Sequence, residues 1–302
     1  MSARELEFDL AGLEIGVAEY EEGPTGCTVF LLRQGVNAAV DVRGGSVGMV
    51  GGTGEWLHAV CFAGGSAYGL EAASGAAAAL FAERDHSTAW TDIAVVAGAI
   101  IYDFGPRDNA IYPDKELGRA AVRAARPGRF PLGARGAGRS ATVGKTFDFD
   151  GLEPAGQGGA FRAIGPTRVA VFTVVNAVGA IVDRDGRVVR GNLDRSTGER
   201  APLVPSLEAR LAAGAAPRVL PGNTTLTLVV TNERLDMRLL RQLARQVHAS
   251  MARAIQPFHA LVDGDVLYAV TTNEVENEQL DSITLGIVAS ELAWDAVLSC
   301  FD

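Results

Sequence analysis

Pro221-Gly222-Asn223-Thr224-Thr225 runs directly into Leu226-Thr227-Leu228-Val229-Val230-Thr231-Asn232. A polar break followed by alternating apolar residues reads as a turn that opens a β-strand, and the strand begins on a threonine. In mid-chain that threonine is chemically idle. Cutting the Asn223–Thr224 peptide bond gives it a new α-amine, with a pKa near ~8, that can take the proton of the same residue's hydroxyl. One residue then supplies nucleophile and base, and no Ser-His-Asp set is needed. On spacing alone the plainer alternative is preferred: a turn entering a strand with a Thr-rich exposed face, because Asn-Thr pairs are common.

The bulk properties narrow the class. A chain of 302 residues suffices for one large domain or two small ones. Apolar residues at 48% and charged residues at 21% fit a globular enzyme rather than a disordered chain. The 36 glycines follow no collagen-like period, so they mark tight turns or close backbone approaches. A net charge of −9 argues against nucleic acid or an anionic membrane as partner and suits a neutral or cationic substrate. Cys27, Cys61 and Cys300 are far apart and form no CxxC pair, so neither a disulfide framework nor structural zinc is expected. Met1 to Leu10 carries Glu5, Glu7 and Asp9 without an apolar core, unlike a signal peptide. The longest apolar stretches stop short of a membrane span. The default expectation is a reducing, cytoplasmic setting.

Strands are expected at Thr28–Leu32, Ala38–Val42, Val95–Ile101 and Val266–Val270, and a strand pair at Val169–Val175 and Gly179–Val182. Asp183-Arg184-Asp185-Gly186 is a hairpin signal. Helices are expected over 67–83 with Ser66 as N-cap, 115–125 with Asp114 as cap, 236–254 and 282–298. Residues 191–222, with Pro202, Pro205, Pro217 and Pro221, read as a long surface connection with one short Leu/Ala patch of helical character.

Short motifs point in several directions. Gly136-Ala137-Gly138-Arg139-Ser140-Ala141 fits GxGxxA without a clear strand before it or helix after it, and Gly144-Lys145-Thr146 ends like a P-loop but lacks its first glycine. Tight turns account for both. Gly44-Gly45-Ser46-Val47-Gly48 matches the nucleophile elbow formally, yet Met49-Val50-Gly51-Gly52 is a poor helix start, so a glycine turn is preferred. His58, His86, His248 and His259 lack zinc-hydrolase spacing, and no metal or cofactor is expected. Lys145 is a surface lysine or a cation that tunes a nearby amine; Asn176 closes a turn or donates to an oxyanion. Asp263-Gly264-Asp265 is a turn without the further ligands of a calcium loop.

Taken together, Gly222-Asn223-Thr224-Thr225, Val230-Thr231-Asn232, Gln246-Val247-His248, Ile255-Gln256-Pro257-Phe258-His259 and Asp263-Gly264-Asp265 resemble the 6-aminohexanoate-oligomer endohydrolases, the nylon-oligomer hydrolases. So do Glu21 to Gly26, Tyr68 to Ala72, Ile101-Tyr102-Asp103-Phe104, Tyr112 to Lys115 and Val189 to Asn192. The resemblance covers nearly the whole chain. The wider group contains D-stereospecific and β-peptide aminopeptidases and, more distantly, ornithine acetyltransferases.

The resemblance implies one α/β domain over residues 1–302, built of stacked α-β-β-α layers of the N-terminal-nucleophile type. It implies a precursor that cuts itself between Asn223 and Thr224 into fragments 1–223 and 224–302. The nucleophile is then Thr224, not Thr225. The family's lysine and asparagine match Lys145 and Asn176, its tyrosine matches Tyr102 beside the substrate, and its paired carboxylates match Asp263 and Asp265. It further implies linear or cyclic 6-aminohexanoate oligomers as substrates and a homo-oligomer, a tetramer of cleaved units. Ala177 stands where nylon hydrolases carry proline, and the chain is shorter at the N-terminus and around Glu276–Asp281; both departures bear on quaternary contacts and substrate range. Two alternatives remain open: a β-peptide or D-stereospecific aminopeptidase, and an uncleaved binding protein that keeps the fold alone.

Overall fold

The computed structural model describes residues 4–51, 54–147, 150–215 and 222–301. One strand of eighteen residues, Thr25–Val42, ties the architecture together. It replaces the two short strands expected here, with a register shift between Leu31 and Val36 against the neighbouring strand. In its first half Cys27, Val29 and Leu31 face one helical layer, while Phe30 and Leu32 face the opposite way. In its second half Val36 and Ala38 stay in that same interior, and Ala39 faces a second helical layer. Alternate residues of a strand point to opposite faces, so this strand lines three cores in turn.

The principal strands are β1 (Glu14–Tyr20), β2 (Thr25–Val42), β3 (Trp56–Ala63), β4 (Val96–Ile100), β5 (Gln157–Ile164), β6 (Thr167–Asn176), β7 (Ala180–Val182), β8 (Val188–Arg190), β9 (Thr224–Glu233) and β10 (Val266–Val275). The ladder runs β5-β6-β9-β10-β2-β3-β4, with β1 also paired to β2. Parallel pairing joins β9 to β10 and β3 to β4. The helices are α1 (Glu71–Glu83), α2 (Lys115–Ala124), α3 (Leu203–Ala212), α4 (Met237–Ser250) and α5 (Ser282–Leu298).

Three cores separate four layers. Ala72, Ala73, Ala76 and Leu80 of α1 and Leu117, Ala121 and Val122 of α2 pack on β2, β3 and β4. Leu240, Leu243 and Val247 of α4 and Leu292 and Ala293 of α5 pack on Val169, Val171, Val229 and Leu267. Between the sheets lies an aromatic interior: Phe30, Phe62, Phe130, Phe172 and Tyr268. The Phe130 and Phe172 rings meet edge-on at 4.9 Å, and Phe8 meets Phe172 at 5.4 Å. This is the α-β-β-α arrangement.

Local chemistry accounts for most element boundaries. Asp114 accepts the Leu117 N–H at 2.9 Å and Asp236 the Leu239 N–H at 2.8 Å, each satisfying a free donor at a helix start. Ser66 does not cap α1. A 3₁₀ turn over Ser66–Leu70 precedes the helix, and the Ser66 hydroxyl instead accepts from the Asp103 and Phe104 N–H groups. β6 and β7 are not paired with each other: β6 lies between β5 and β9, whereas β7 pairs with β8 across the Asp183–Arg187 turn and with Ile255–Gln256. In the 191–222 connection, the Leu/Ala patch is α3, which buries none of its residues. Pro217 and Pro221 of that connection and Gly52 lie outside the described residues. Cys27, Cys61 and Cys300 are buried and free. Among the described residues no helix is long and apolar enough to cross a membrane.

The inter-sheet aromatic cluster predicts a stability effect. Phe172 is wholly buried and touches three other rings. Phe172→Ala is expected to destabilise by about 3–5 kcal/mol in denaturant unfolding, the scale of a large-to-small core change. A loss below about 1 kcal/mol contradicts this packing.

Candidate active site

β6 and β9 pair antiparallel in a register that sets Asn176 opposite Thr224. Directly opposed residues share a face of the sheet, so the end of one strand meets the start of the other. On the far side of β9, β10 runs parallel with Val266 beside Leu226, which carries the preceding Asp263-Gly264-Asp265 turn to the start of β9. Asn223 forms a parallel bridge with Asp263. Strand register alone therefore brings five sequence-predicted residues together: Asn176, Asn223, Thr224, Asp263 and Asp265.

Thr224 is 1% exposed, and its hydroxyl donates to the Asn223 carbonyl oxygen at 2.5 Å. The same oxygen accepts the Gly264 N–H at 2.9 Å. The Thr225 N–H donates to Asp265 Oδ1 at 2.7 Å. Lys145 is 2% exposed; its ammonium donates to the Asn176 carbonyl at 3.1 Å and to Asn176 Oδ1 at 3.0 Å. The Lys145 and Gly144 N–H groups bond to Val178 and Gly179. Gly144 has φ +78°, and a Cβ there would lie 2.3 Å from the Asn192 nitrogen, so only glycine lets the chain turn at this point. The Gly144-Lys145 pair is thus a turn that delivers a lysine inward. The Gly136–Gly138 segment is likewise a tight 3₁₀ turn.

Asn176 neither closes a turn nor points to solvent. Its Oδ1 also accepts the Thr142 N–H, and its Nδ2 donates to the Tyr102 carbonyl at 2.8 Å. Tyr102 is 41% exposed and stands at the mouth of a cleft of about 510 Å³. Gly45, Ser46, Val47, Gly222, Asn223 and Val262 complete its walls. A larger hollow of about 600 Å³ lies between Phe147, Asp150 and Gly151 and the residues Ser206, Ala209 and Arg210 of α3; none of Thr224, Lys145, Asn176, Asp263 and Asp265 lines it.

The two carboxylates are held by backbone donors. Asp263 accepts from the Val178 and Ala260 N–H groups at 3.2 and 3.0 Å. Asp265 Oδ2 accepts from the His259 N–H, and His259 Nδ1 lies 3.0 Å from it. Burial pushes the Lys145 ammonium down to about 7, against the upward pull of the Asp263 and Asp103 carboxylates. Burial, and then the neighbouring Asp265, pushes Asp263 up to about 7, against the Val178 and Ala260 donors and Lys145. Charged and neutral forms of this acid and this base are therefore close in free energy at neutral pH, a property of sites that move protons.

Several contributors had no role assigned from sequence. Asp103 is 1% exposed, accepts the Gly65 N–H at 2.9 Å and places a negative charge near Lys145. Its signal was its place in Tyr102-Asp103-Phe104. His259 sits on Asp265, and the wholly buried His248 bonds to Asp41 at 2.9 Å, with the two imidazole rings 4.4 Å apart. The Gly44–Gly48 stretch is a glycine turn, as read; Ser46 N–H and Arg43 N–H bond to the carbonyls of Asp263 and Asp265 and so brace the acidic turn.

Comparison with known proteins identifies the family and the fold. The model of Peptidase family S58 matches residues 8–301. The chain is 48% identical over 303 residues to the 6-aminohexanoate-oligomer endohydrolase of Paenarthrobacter ureafaciens, covering 97% of this chain and 85% of that protein. The protein of the same name from Agromyces sp. (strain KY5R) is also 48% identical, with the same coverage. Among solved structures, the L-aminopeptidase D-Ala-esterase/amidase of Ochrobactrum anthropi, described as a variant of the Ntn hydrolase fold, superposes with a TM-score of 0.70. That match covers 99% of this chain and 87% of the other at 17% identity, and so speaks for the fold alone. With its four layers of Ntn hydrolase type and a family match over nearly its whole length, the chain belongs to Peptidase family S58 and is a hydrolase.

Proposed function

We propose that this chain is a self-processing N-terminal threonine amidohydrolase that cleaves internal amide bonds of 6-aminohexanoate oligomers. The observation that carries the reading is the Thr224 hydroxyl resting on the Asn223 carbonyl, with Lys145 and Asn176 across the strand pair. In the first reaction the Thr224 oxygen adds to the Asn223 carbonyl carbon, and the C–N bond then breaks. The hydroxyl proton ends on the departing Thr224 nitrogen. The product is an ester between Asn223 and the Thr224 side chain, which water opens to a carboxylate and a free hydroxyl. Fragments 1–223 and 224–302 remain packed together, because β9 stays hydrogen-bonded between β6 and β10.

Burial supports this order of events. In the uncut chain Thr224 is almost inaccessible, and Gly222 and Asn223 form part of the cleft wall. Separation at the Asn223–Thr224 bond frees that wall and creates the α-amine together. In turnover the Thr224 oxygen attacks a substrate amide, its own amine shuttles the proton, and an acyl-enzyme forms and is hydrolysed. Asn176 stabilises the oxyanion, Lys145 tunes the amine and the charge of the site, and Asp263 and Asp265 orient these groups. Tyr102 contacts substrate at the mouth. The 6-aminohexanoate substrate class rests on the named activity of relatives 48% identical over nearly the full chain.

Self-processing is checked directly. Purified protein is expected as two bands, roughly three quarters and one quarter of the 31.5 kDa mass, with the smaller beginning at Thr224. Thr224→Ala is expected to stay full-length and inactive, and Thr225→Ala to be cut; a processed Thr224→Ala chain removes Thr224 as the nucleophile.

Lys145→Ala is expected to lower kcat by at least ~10²-fold, the scale of one contact to developing negative charge. Asp263→Ala and Asp265→Ala are expected to slow both processing and turnover. Near-normal behaviour of all three variants, followed by gel and product assay, removes these residues from the site.

The pH dependence of processing follows from two shifted groups. The uncut chain has no free amine at Thr224, and Lys145 and Asp263, both shifted to about 7, serve as proton acceptors instead. Each becomes basic by losing a proton. Processing is therefore expected to accelerate as pH rises through about 7 and then level off. A rate that falls across that window contradicts the assignment.

The cleavage mode separates the endohydrolase from an aminopeptidase. A 6-aminohexanoate oligomer is expected to yield dimers and trimers early, and an N-acetylated oligomer to be cut as well. Chromatography showing only monomer at early times, together with no cleavage of the blocked oligomer, establishes the aminopeptidase instead.

A further inference from the structure

The turn between Asp263 and Asp265 holds a backbone donor at its centre, the Gly264 N–H. The Gly264 N–H points at the carbonyl oxygen of Asn223 at 2.9 Å, the carbonyl at the proposed scissile bond. We infer that this peptide N–H is the oxyanion donor for self-cleavage, and that Asp263 and Asp265 are the positioning residues that hold it there. The inference rests on the self-processing reading and adds to it the group that stabilises the reaction's charged intermediate.

The chemistry requires such a donor. When the Thr224 oxygen adds to the Asn223 carbon, the π electron pair moves onto the carbonyl oxygen, which becomes an oxyanion in a site shielded from water. A donor fixed in advance at 2.7–3.1 Å from that oxygen stabilises the charge without reorganising. The Thr224 hydroxyl also bonds to this oxygen, but it is the attacking group itself and loses its proton in the step. Departure of the Thr224 nitrogen with that proton restores the carbonyl, now as an ester.

The turn is braced from several sides. Its two carboxylates take backbone N–H groups from Val178, Ala260, Thr225 and His259, so each aspartate ties the turn to a different segment. The Asp263 and Asp265 carbonyls accept from Ser46 and Arg43. At Gly264 itself a Cβ would lie 2.7 Å from both Thr224 Oγ1 and the Ser46 carbonyl oxygen, so the position admits no side chain while the hydroxyl occupies its attacking place.

The test replaces Gly264 by glycolic acid in the full-length chain, through nonsense suppression, so that an ester oxygen stands where the N–H stood and no side chain is added. Processing is followed by intact mass, beside wild type and Thr224→Ala. The inference predicts that wild type is cut, that Thr224→Ala is not, and that the glycolate chain is cut ~10²–10³-fold more slowly than wild type. A glycolate chain processed within about threefold of wild type overturns the inference and leaves the self-processing reading standing. An uncut wild type, or a cut Thr224→Ala, overturns both. A second measurement does not depend on processing. In Thr224→Ala protein labelled with [1-¹³C]asparagine, the glycolate replacement is expected to raise the carbonyl stretching frequency of Asn223 in the difference infrared spectrum, because a hydrogen bond to that oxygen is lost. An unchanged frequency in folded protein overturns the inference.

Discussion

The register of β9 between β6 and β10 is the constraint on which the site depends. The antiparallel side sets Asn176 against Thr224, and the parallel side sets the acidic turn against Asn223. A slip of one residue on either side would turn every side chain of the strand to the opposite face. Two cores resist such a slip. Leu226, Leu228 and Val230 are committed to the aromatic interior, and Val229 to the layer under α4 and α5. The hydrophobic pattern that makes β9 a central strand thus also fixes which threonine stands opposite Asn176.

The polar groups carried to this point are all buried, and that sets their chemistry. Lys145, Asp263, Asp265, Asn176 and Thr224 are each 2% exposed or less. Charged groups taken from water are held only where hydrogen bonds replace solvation. Backbone N–H groups serve both aspartates, and Asn176 serves the lysine. Burial still moves Lys145 down and Asp263 up towards a common value. Burial thus disfavours the charged form of both this base and this acid, as at sites that move protons. The same burial leaves Thr224 almost inaccessible, next to the Gly222–Asn223 segment that forms part of the cleft wall.

Much of this was legible in the residues, for identifiable reasons. The alternating apolar run announced β9, the capping Asp114 announced α2, and the apolar stripe of residues 239–251 announced α4, because period and cap are local properties. The pairing of β6 with β9 was not legible: strand partners are set by the global arrangement of cores, and β6 looked instead like the partner of β7. Ser66 has the composition of a cap, but its hydroxyl is engaged by residues 103 and 104 across the chain. Lys145, Asn176 and the aspartates carried no distinctive spacing of their own; motif resemblance singled them out, and the structure brings them within one buried cluster. Asp103, His259 and the Gly264 N–H stayed silent for different reasons. A backbone donor has no sequence signature at all; Asp103 acts through partners remote in sequence, and His259 acts through the Asp265 carboxylate.

The central claim is that Thr224 carries both the nucleophile and the acyl intermediate. Its most direct test is acid quenching during turnover of a 6-aminohexanoate oligomer, followed by mass mapping of the small fragment. The account predicts an acyl group ester-linked to the side chain of an N-terminal Thr224, appearing within the first turnovers and lost as substrate is exhausted. An acyl group on any other residue, or steady turnover with Thr224 unmodified at every quench time, contradicts it.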